Sequence, residues 1–312
     1  MRRIVPPSAI AVPPKTSREI GAYGLGLISV AAFALTLPLS KLLLAHLTAL
    51  QIGLFRSILA GIAAVPILLL AKAPLPDLSQ LKRLLLISSG IVYGFPILTA
   101  VGMQYVPVSH GGVVLAALPL STAIFGTLIT KDRPPKAFWI VAIAGFLTVL
   151  AFTILRNGIG GVYLGDLGLF GAVILAGLGY AQGGALSKEM RGWQVMCWTL
   201  VVSLPLLIPL TIVVYQHSLV MSLDRTSLGA LAFLAFVNSL AGFFLWNRAL
   251  AVGGIQKISQ LQLLQPFITY GYAVALMGES LDWLTLGVCA LVIGLVALSR
   301  KTLSRPLCDK SV

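Results

Sequence analysis

Ten windows of apolar residues run through this chain, at 20–44, 48–71, 83–104, 108–130, 137–155, 164–187, 194–215, 227–250, 255–278 and 282–299. About twenty such residues carry an α-helix across a bilayer. A helix also satisfies its own backbone hydrogen bonds, which lipid cannot do for it. The recurrence predicts an all-α integral membrane protein with ten transmembrane helices. Composition agrees, since 58% of the residues are hydrophobic and 10% charged, which excludes a soluble globule. The connections between windows leave no room for a soluble domain.

A formal net charge of +13 would point to nucleic acid in a soluble protein, but here the placement of the basic residues explains it. Taking tails and connections alternately, one side holds eighteen of the 22 Lys and Arg residues. The other side holds Lys41, Arg156 and Arg225, and Arg56 lies within a window. Basic residues are retained in the cytoplasm, so both termini are expected there. Residues 1–19 include Pro6, Pro7, Pro13 and Pro14 with no long apolar core, and read as a disordered cytoplasmic tail instead of a cleaved signal. Residues 300–312 read as a second cytoplasmic tail. Cys197 and Cys289 fall in apolar windows and Cys308 in that tail, which gives no disulfide framework.

One offset ties distant parts of the chain together. Pro119 and Pro266 lie 147 residues apart, as do Thr122 and Thr269, Asp132 and Glu279, Ser40 and Ser187, Lys41 and Lys188, Gly21 and Gly168, Gly24 and Gly171, and Glu19 and Asp166. Gln51 and Gln194, and Pro66 and Pro209, pair at a slightly shorter offset. A constant register of this kind is the mark of internal duplication. It predicts a first five-helix repeat over 20–155 and a second over 156–299. An odd number of crossings turns the second copy upside down, so the repeats are expected to be inverted. The connection KDRPPK after the fourth window is basic and its counterpart ESLD after the ninth is acidic, in keeping with opposite orientations.

Polar residues inside apolar windows mark where lipid is not the neighbour. The stretch from Asn238 to Asp282 holds Gln260, Gln262, Gln265 and Pro266, whose side chains and freed backbone groups need partners that hydrocarbon does not supply. Asn238, Gly242 and Trp246 follow at spacings of four and share one helical face. In the third window Tyr93, Gly94, Pro96 and Gln104 give a helix with a removable amide and a polar end. His110 sits near the outer mouth, either as a satisfied polar residue or as a proton relay. Arg56 lies eight residues past Thr48, or about 12 Å along a helix, and a central arginine costs about 2.5 to 3.5 kcal/mol on insertion scales. It either lines a wet cavity or snorkels to the outer surface. Pro119 and Pro266 are expected to kink the fourth and ninth helices and leave carbonyls free. Gly21, Gly24 and Gly26, with Gly177, Gly179, Gly183 and Gly184, read as tight helix packing or as a flexible gate. Trp193 and Trp283 fit interfacial anchors.

Enzyme chemistry is missing. The chain has no HExxH, glycine-rich phosphate loop or Gly-x-Ser-x-Gly elbow, and all nine acidic residues lie in tails, connections or window ends. No cofactor, metal or nucleic-acid partner is implied. Around the polar stretch the lining suits a neutral, zwitterionic or anionic organic solute.

These residues carry a resemblance. The five-plus-five duplication, QYVPVSHGGVVLAALPL, LWNRAL at Leu245 to Leu250, LLQP at Leu263 to Pro266 and GES at Gly278 to Ser280 resemble the EamA family of the drug/metabolite transporter superfamily, over Ile20 to Ser299. Asp132 stands where that family more often has glutamate. The resemblance implies a central cavity lined by helices one, three, four, six, eight and nine, with two and seven more peripheral. It also implies alternating-access movement of small metabolites, often export of amino acids or related compounds, through the bacterial inner (plasma) membrane. Tyr93, His110, Asn238, Trp246, Gln260 and Gln262 are the candidate solute contacts, with Pro119 and Pro266 as kinks and Arg56 as the charged membrane residue. A membrane-embedded enzyme or lipid flippase using the same groove is the alternative.

Overall fold

Residues 15–103, 114–157, 164–215, 223–277 and 283–304 are described by the computed structural model, and every regular element among them is helical. The first window forms α1 (Lys15–Ala34) and α2 (Thr36–Leu43), and the second forms α3 (Ala49–Leu70). α4 (Leu78–Ser88) passes through a π-helical segment, Ser89–Gly94, into α5 (Phe95–Met103). There follow α6 (Leu118–Thr130), α7 (Lys136–Asn157), α8 (Leu164–Leu186) and α9 (Gly192–Val214). α10 (Arg225–Ala232) runs through a second π-helical segment, Phe233–Gly242, into α11 (Phe243–Gly253). After Gly254 come α12 (Ile255–Ser259), a 3₁₀ segment Gln260–Leu264, α13 (Gln265–Met277) and α14 (Trp283–Ser304).

Helix starts are set by local chemistry. The Gln51 side chain accepts from the Thr48 backbone N–H at 2.9 Å while the Thr48 hydroxyl accepts from the Gln51 N–H, closing a capping box. At the start of α9 the Gln194 side chain likewise accepts from the Arg191 N–H at 3.0 Å. Thus the paired glutamines do the same job. Asp77 caps α4, and Asp224, 147 residues later, caps α10. Hydrogen bonds from the Ser227 side chain and backbone hold the Asp224 carboxyl below its ordinary range. Gly254, at φ 89°, occupies a backbone region open to glycine, so one residue suffices to turn the chain from α11 to α12.

The 147-residue register extends to the elements themselves. α6 and α13 are each 13 residues and both begin and end 147 apart, and the 22-residue α7 and α14 do the same. A π-helical segment stands in the third window and another in the eighth. α3 and α9 run antiparallel, with Gln51 Nε2 donating to the Val214 carbonyl at 2.8 Å and Gly61 closely packed on Leu204. α7 and α14 run antiparallel in the same way, since Leu303 near the end of α14 packs against the cluster of Ala123 of α6 with Phe138 and Ala142 at the start of α7.

α8 is the central strut. Its glycines admit neighbours at backbone distance: Gly168 faces the Leu98 carbonyl, Gly177 faces Ser121, Gly179 faces Ile91, and Gly184 faces Leu250. In α1 this holds for Gly26 alone, which meets Leu261 and Ile258. Gly21 and Gly24 face nothing within 4 Å, so the expected packing role does not extend to them. α1 begins at Lys15, so the end of the expected N-terminal tail is helical, and α14 carries helix to Ser304 beyond the expected boundary. Residues 1–14 and 305–312 lie outside the described residues.

Seven helices among the described residues are long and apolar enough to cross a membrane, and Leu118–Thr130 and Lys136–Phe152 are apolar but shorter. The remaining window, 255–278, is divided by its 3₁₀ segment. Large apolar side chains such as Leu69, Leu70, Ile140, Leu155, Leu167, Val213 and Trp283 stand exposed on the outside of the bundle, the surface that lipid covers.

Candidate functional site

Four aromatic rings meet in the bundle interior. Phe33 of α1 lies 5.0 Å from Phe243 and 6.1 Å from Trp246, and Tyr180 of α8 lies 5.7 Å and 6.0 Å from the same two rings. Offset and edge-to-face rings at these separations attract each other, and all four residues are buried. They meet because Gly242, one turn before Trp246, leaves room for Phe33.

Polar groups gather at this cluster. The Tyr180 hydroxyl is engaged by the Gln262 side chain and lies in the field of the Arg56 guanidinium. Arg56 comes from α3, keeps some accessible surface, and has its Nε enclosed without a hydrogen-bond partner. Trp246 Nε1, Gln260 Nε2 and Gln262 Oε1 are enclosed and unpartnered as well. Buried polar atoms normally find partners, and leaving one without costs about 1 to 3 kcal/mol. Two such atoms beside Tyr180, on Trp246 and Gln262, together with a guanidinium describe a place built for something polar.

The 3₁₀ segment places the glutamines. Pro266 in the first turn of α13 has no N–H to give the Gln262 carbonyl an α-helical bond, so that carbonyl accepts from the Gln265 N–H instead, and the tighter 3₁₀ winding ends where the proline begins a fresh helix. The expected interruption of the ninth helix is thus found just before its proline. Pro119 differs from expectation. It lies in the first turn of α6 and starts that helix, where a missing N–H costs nothing, so it does not kink a continuous one. Residues 116–117 before it form a turn.

The other candidates go elsewhere. Tyr93, in the first π-helical segment, donates its hydroxyl to the Ser203 carbonyl of α9 at 2.8 Å. Asn238 donates to the Thr36 hydroxyl. Its stripe with Gly242 and Trp246 does face the first window, at Thr36 and Phe33, but Asn238 joins helices there and is not part of the aromatic cluster. Thr269 donates to the Ala34 carbonyl at 2.9 Å, at the break between α1 and α2. His110 and Gln104 lie outside the described residues. Arg56 lies in the electrostatic field of Tyr180, with its Nε enclosed.

Sequence reasoning missed Phe33, Tyr180 and Phe243, because an aromatic residue in an apolar helix reads as packing. A signal did exist for Tyr180, which stands among Gly177, Gly179, Gly183 and Gly184, glycines that bring neighbouring helices close around it.

At the basic helix ends the structure is closed by polar ties. Lys257 pairs with Glu19 at 3.5 Å, Arg83 pairs with Glu189, and Gln256 Nε2 reaches Thr130 and Asp132 at 3.4 Å. A cavity of about 400 Å³ lined by Lys188, Arg191 and Arg248 lies at the same ends and holds none of the aromatic cluster. Among the described residues no three His, Cys, Asp or Glu side chains are grouped to hold a metal ion.

Known proteins share this plan. The profile of the EamA-like transporter family matches residues 20–154 and 163–300. A Bacillus subtilis protein named "Uncharacterized transporter YdeK" is 38% identical over 276 residues, covering 88% of this chain and 96% of its own length. A Salmonella typhimurium protein named "Probable amino-acid metabolite efflux pump" is 23% identical over 286 residues, covering 86% of this chain and 91% of its own. In fold, the chain is similar to a solved crystal structure at TM-score 0.69 and 16% identity, covering 90% of this chain and 97% of that one.

Proposed function

The chain belongs to the EamA-like transporter family, and from that premise we propose that it is a secondary transporter moving a small organic metabolite by alternating access. The single observation that carries this is the buried centre where Phe33, Tyr180, Phe243 and Trp246 meet Gln262 in the field of Arg56, with polar atoms left for a guest. A lining that is mostly aromatic with a few convergent polar groups is the usual make-up of a small-molecule site. The solute is an amino acid or related compound and the direction is outward, a reading supported by the name of the Salmonella relative.

The architecture proposed is ten transmembrane helices in two inverted five-helix repeats, 20–155 and 156–299, in a bacterial plasma membrane with cytoplasmic termini. Its supports are the matched lengths of α6 with α13 and α7 with α14, the paired π-helical segments, and the antiparallel course of α3 against α9 and α7 against α14. Repeat interfaces are where such transporters bind solute, and the cluster draws on helices from both halves. Alternation then consists of closing one end of the bundle while the other opens, and the ties at Lys257–Glu19 and Arg83–Glu189 hold the basic end shut.

Counterflow in proteoliposomes tests the reading. Purified protein in vesicles preloaded with a panel of amino acids, organic acids, amines, sugars and nucleosides is expected to accumulate at least one labelled member transiently, above empty vesicles. Vesicles that exchange no member of the panel would count against transport.

A further inference from the structure

Arg56 puts a cation inside α3, a helix long and apolar enough to cross a membrane. Among the described residues it has no ion-pair partner, and Tyr180, the group in whose field it lies, is neutral at ordinary pH. The described acidic side chains are engaged elsewhere: Glu19 pairs with Lys257 and Glu189 with Arg83, Asp77 and Asp224 cap helices, and Asp132 meets Thr130 and Gln256. Holding a guanidinium inside a membrane bundle without a counter-charge is costly. A side chain kept for packing alone would do the work of α3 at that position without this penalty.

The surroundings show what completes it. Gln262 is 5% exposed and Trp246 0%, and each presents one enclosed polar atom without a partner. Trp246 Nε1 is a donor that suits an oxyanion, and Gln262 Oε1 is an acceptor. Phe33, Phe243 and Trp246 supply an apolar wall beside them. A planar guanidinium matches a carboxylate with two parallel hydrogen bonds, a fit that neutral amides and sugars do not reproduce.

We infer that the centre takes solutes carrying a carboxylate, which docks on the Arg56 guanidinium beside Tyr180 and Gln262 while the solute's apolar body lies against Phe33, Phe243 and Trp246. This rests on the transport reading and adds to it the residue that selects the solute's charged group. Arg56 is then a specificity residue, although its helix is one that the family resemblance places toward the periphery.

The test compares acids with their own amides on purified protein. Thermal shifts are titrated with L-phenylalanine against L-phenylalaninamide, L-leucine against L-leucinamide, and benzoate against benzamide. The acid of a pair is expected to bind roughly 10- to 100-fold more tightly, the worth of a charge-assisted hydrogen-bonded pair. Arg56→Gln is expected to erase that preference, and Arg56→Lys to keep part of it. Because the substitution removes a charge that no described acid balances, the melting temperature of ligand-free Arg56→Gln is expected to match or exceed the parent's. Wild-type protein that binds an amide as tightly as its acid overturns the inference whatever the variants do, and so does an Arg56→Gln protein that still prefers the acid. Counterflow separates this failure from failure of the broader reading. Exchange of amines or amides but of no acid leaves a transporter without the carboxylate site, whereas exchange of nothing removes the transporter as well.

Discussion

α6 and α13 have the same length, the same proline in the first turn and the same distance to the helix that follows, yet they are used differently. α6 buries Leu118, Pro119, Thr122, Ala123 and Gly126, and Ser121 is pressed against Gly177 of α8. On α13 only Phe267 is buried among the described side chains, and a side-chain bond from Thr269 to Ala34 ties it to α1. The chemistry just ahead of each proline differs as well. Where the second copy has Gln260, Gln262 and Gln265, the same register in the first has Val113, Leu115 and Leu118. The backbone break is common to both, and only one copy arms it with polar side chains. Symmetry in such a protein therefore belongs to the helices, while the site is made by breaking it.

The most direct way to erase that difference is Gln262→Leu, which gives the second copy the residue of the first. It leaves the Tyr180 hydroxyl and any guest short of a partner, and solute flux in proteoliposomes is expected to fall roughly 10- to 100-fold. The amount of protein in the membrane fraction should not change. Equal flux from this variant and its parent would show that the glutamine is incidental.

Packing offers the next contrast. A Cβ on Gly177 would lie 2.2 Å from Ser121 Oγ and 2.8 Å from Ser121 Cβ, whereas one on Gly271 of α13 meets nothing within 4 Å. Gly177→Ala is expected to lose about 1 to 3 kcal/mol by overpacking α6 against α8, read as a lower melting temperature in detergent, and Gly271→Ala to lose none. A Gly271 variant as unstable as the Gly177 variant would mean that α13 is as tightly held as α6.

The smallest effect separates the prolines. Pro266→Ala restores an N–H and allows the 3₁₀ segment to rewind as α-helix, swinging Gln260 and Gln262, with flux expected to fall about three- to tenfold, near the worth of one displaced hydrogen bond. Pro119→Ala moves only apolar side chains and is expected to change flux less than twofold. Similar losses for both would indicate that the two breaks work as a matched pair of hinges.

The helices were legible because lipid imposes a length and a polarity that leave few alternatives, and the burial of Trp246, Gln260 and Gln262 was legible because polar atoms in such windows need protein around them. Asn238 carried the same signal for a different reason, a bond to Thr36 some 202 positions away, and no local pattern separates a helix-joining amide from a solute-binding one. Pro119 misled because an apolar window gives no sign of where its helix starts. The π-helical segments were not legible either, since a wider turn in an apolar run leaves no trace in hydrophobic periodicity. Tyr180 was overlooked for want of a polar neighbour in sequence, its partners Arg56 and Gln262 coming from other helices.

Gly254 alone joins α11 to α12. A single-residue tether has no slack, so a tilt of the helix bearing Trp246 cannot be absorbed before it reaches the helix bearing the glutamines. The helix of Trp246 and the segment of the glutamines therefore behave as one bent lever with its elbow at the basic end, beside the Lys257–Glu19 tie. In the transport cycle proposed above, pulling the tie apart would move both in the same stroke, which makes access at that end and the shape of the proposed site a single mechanical variable.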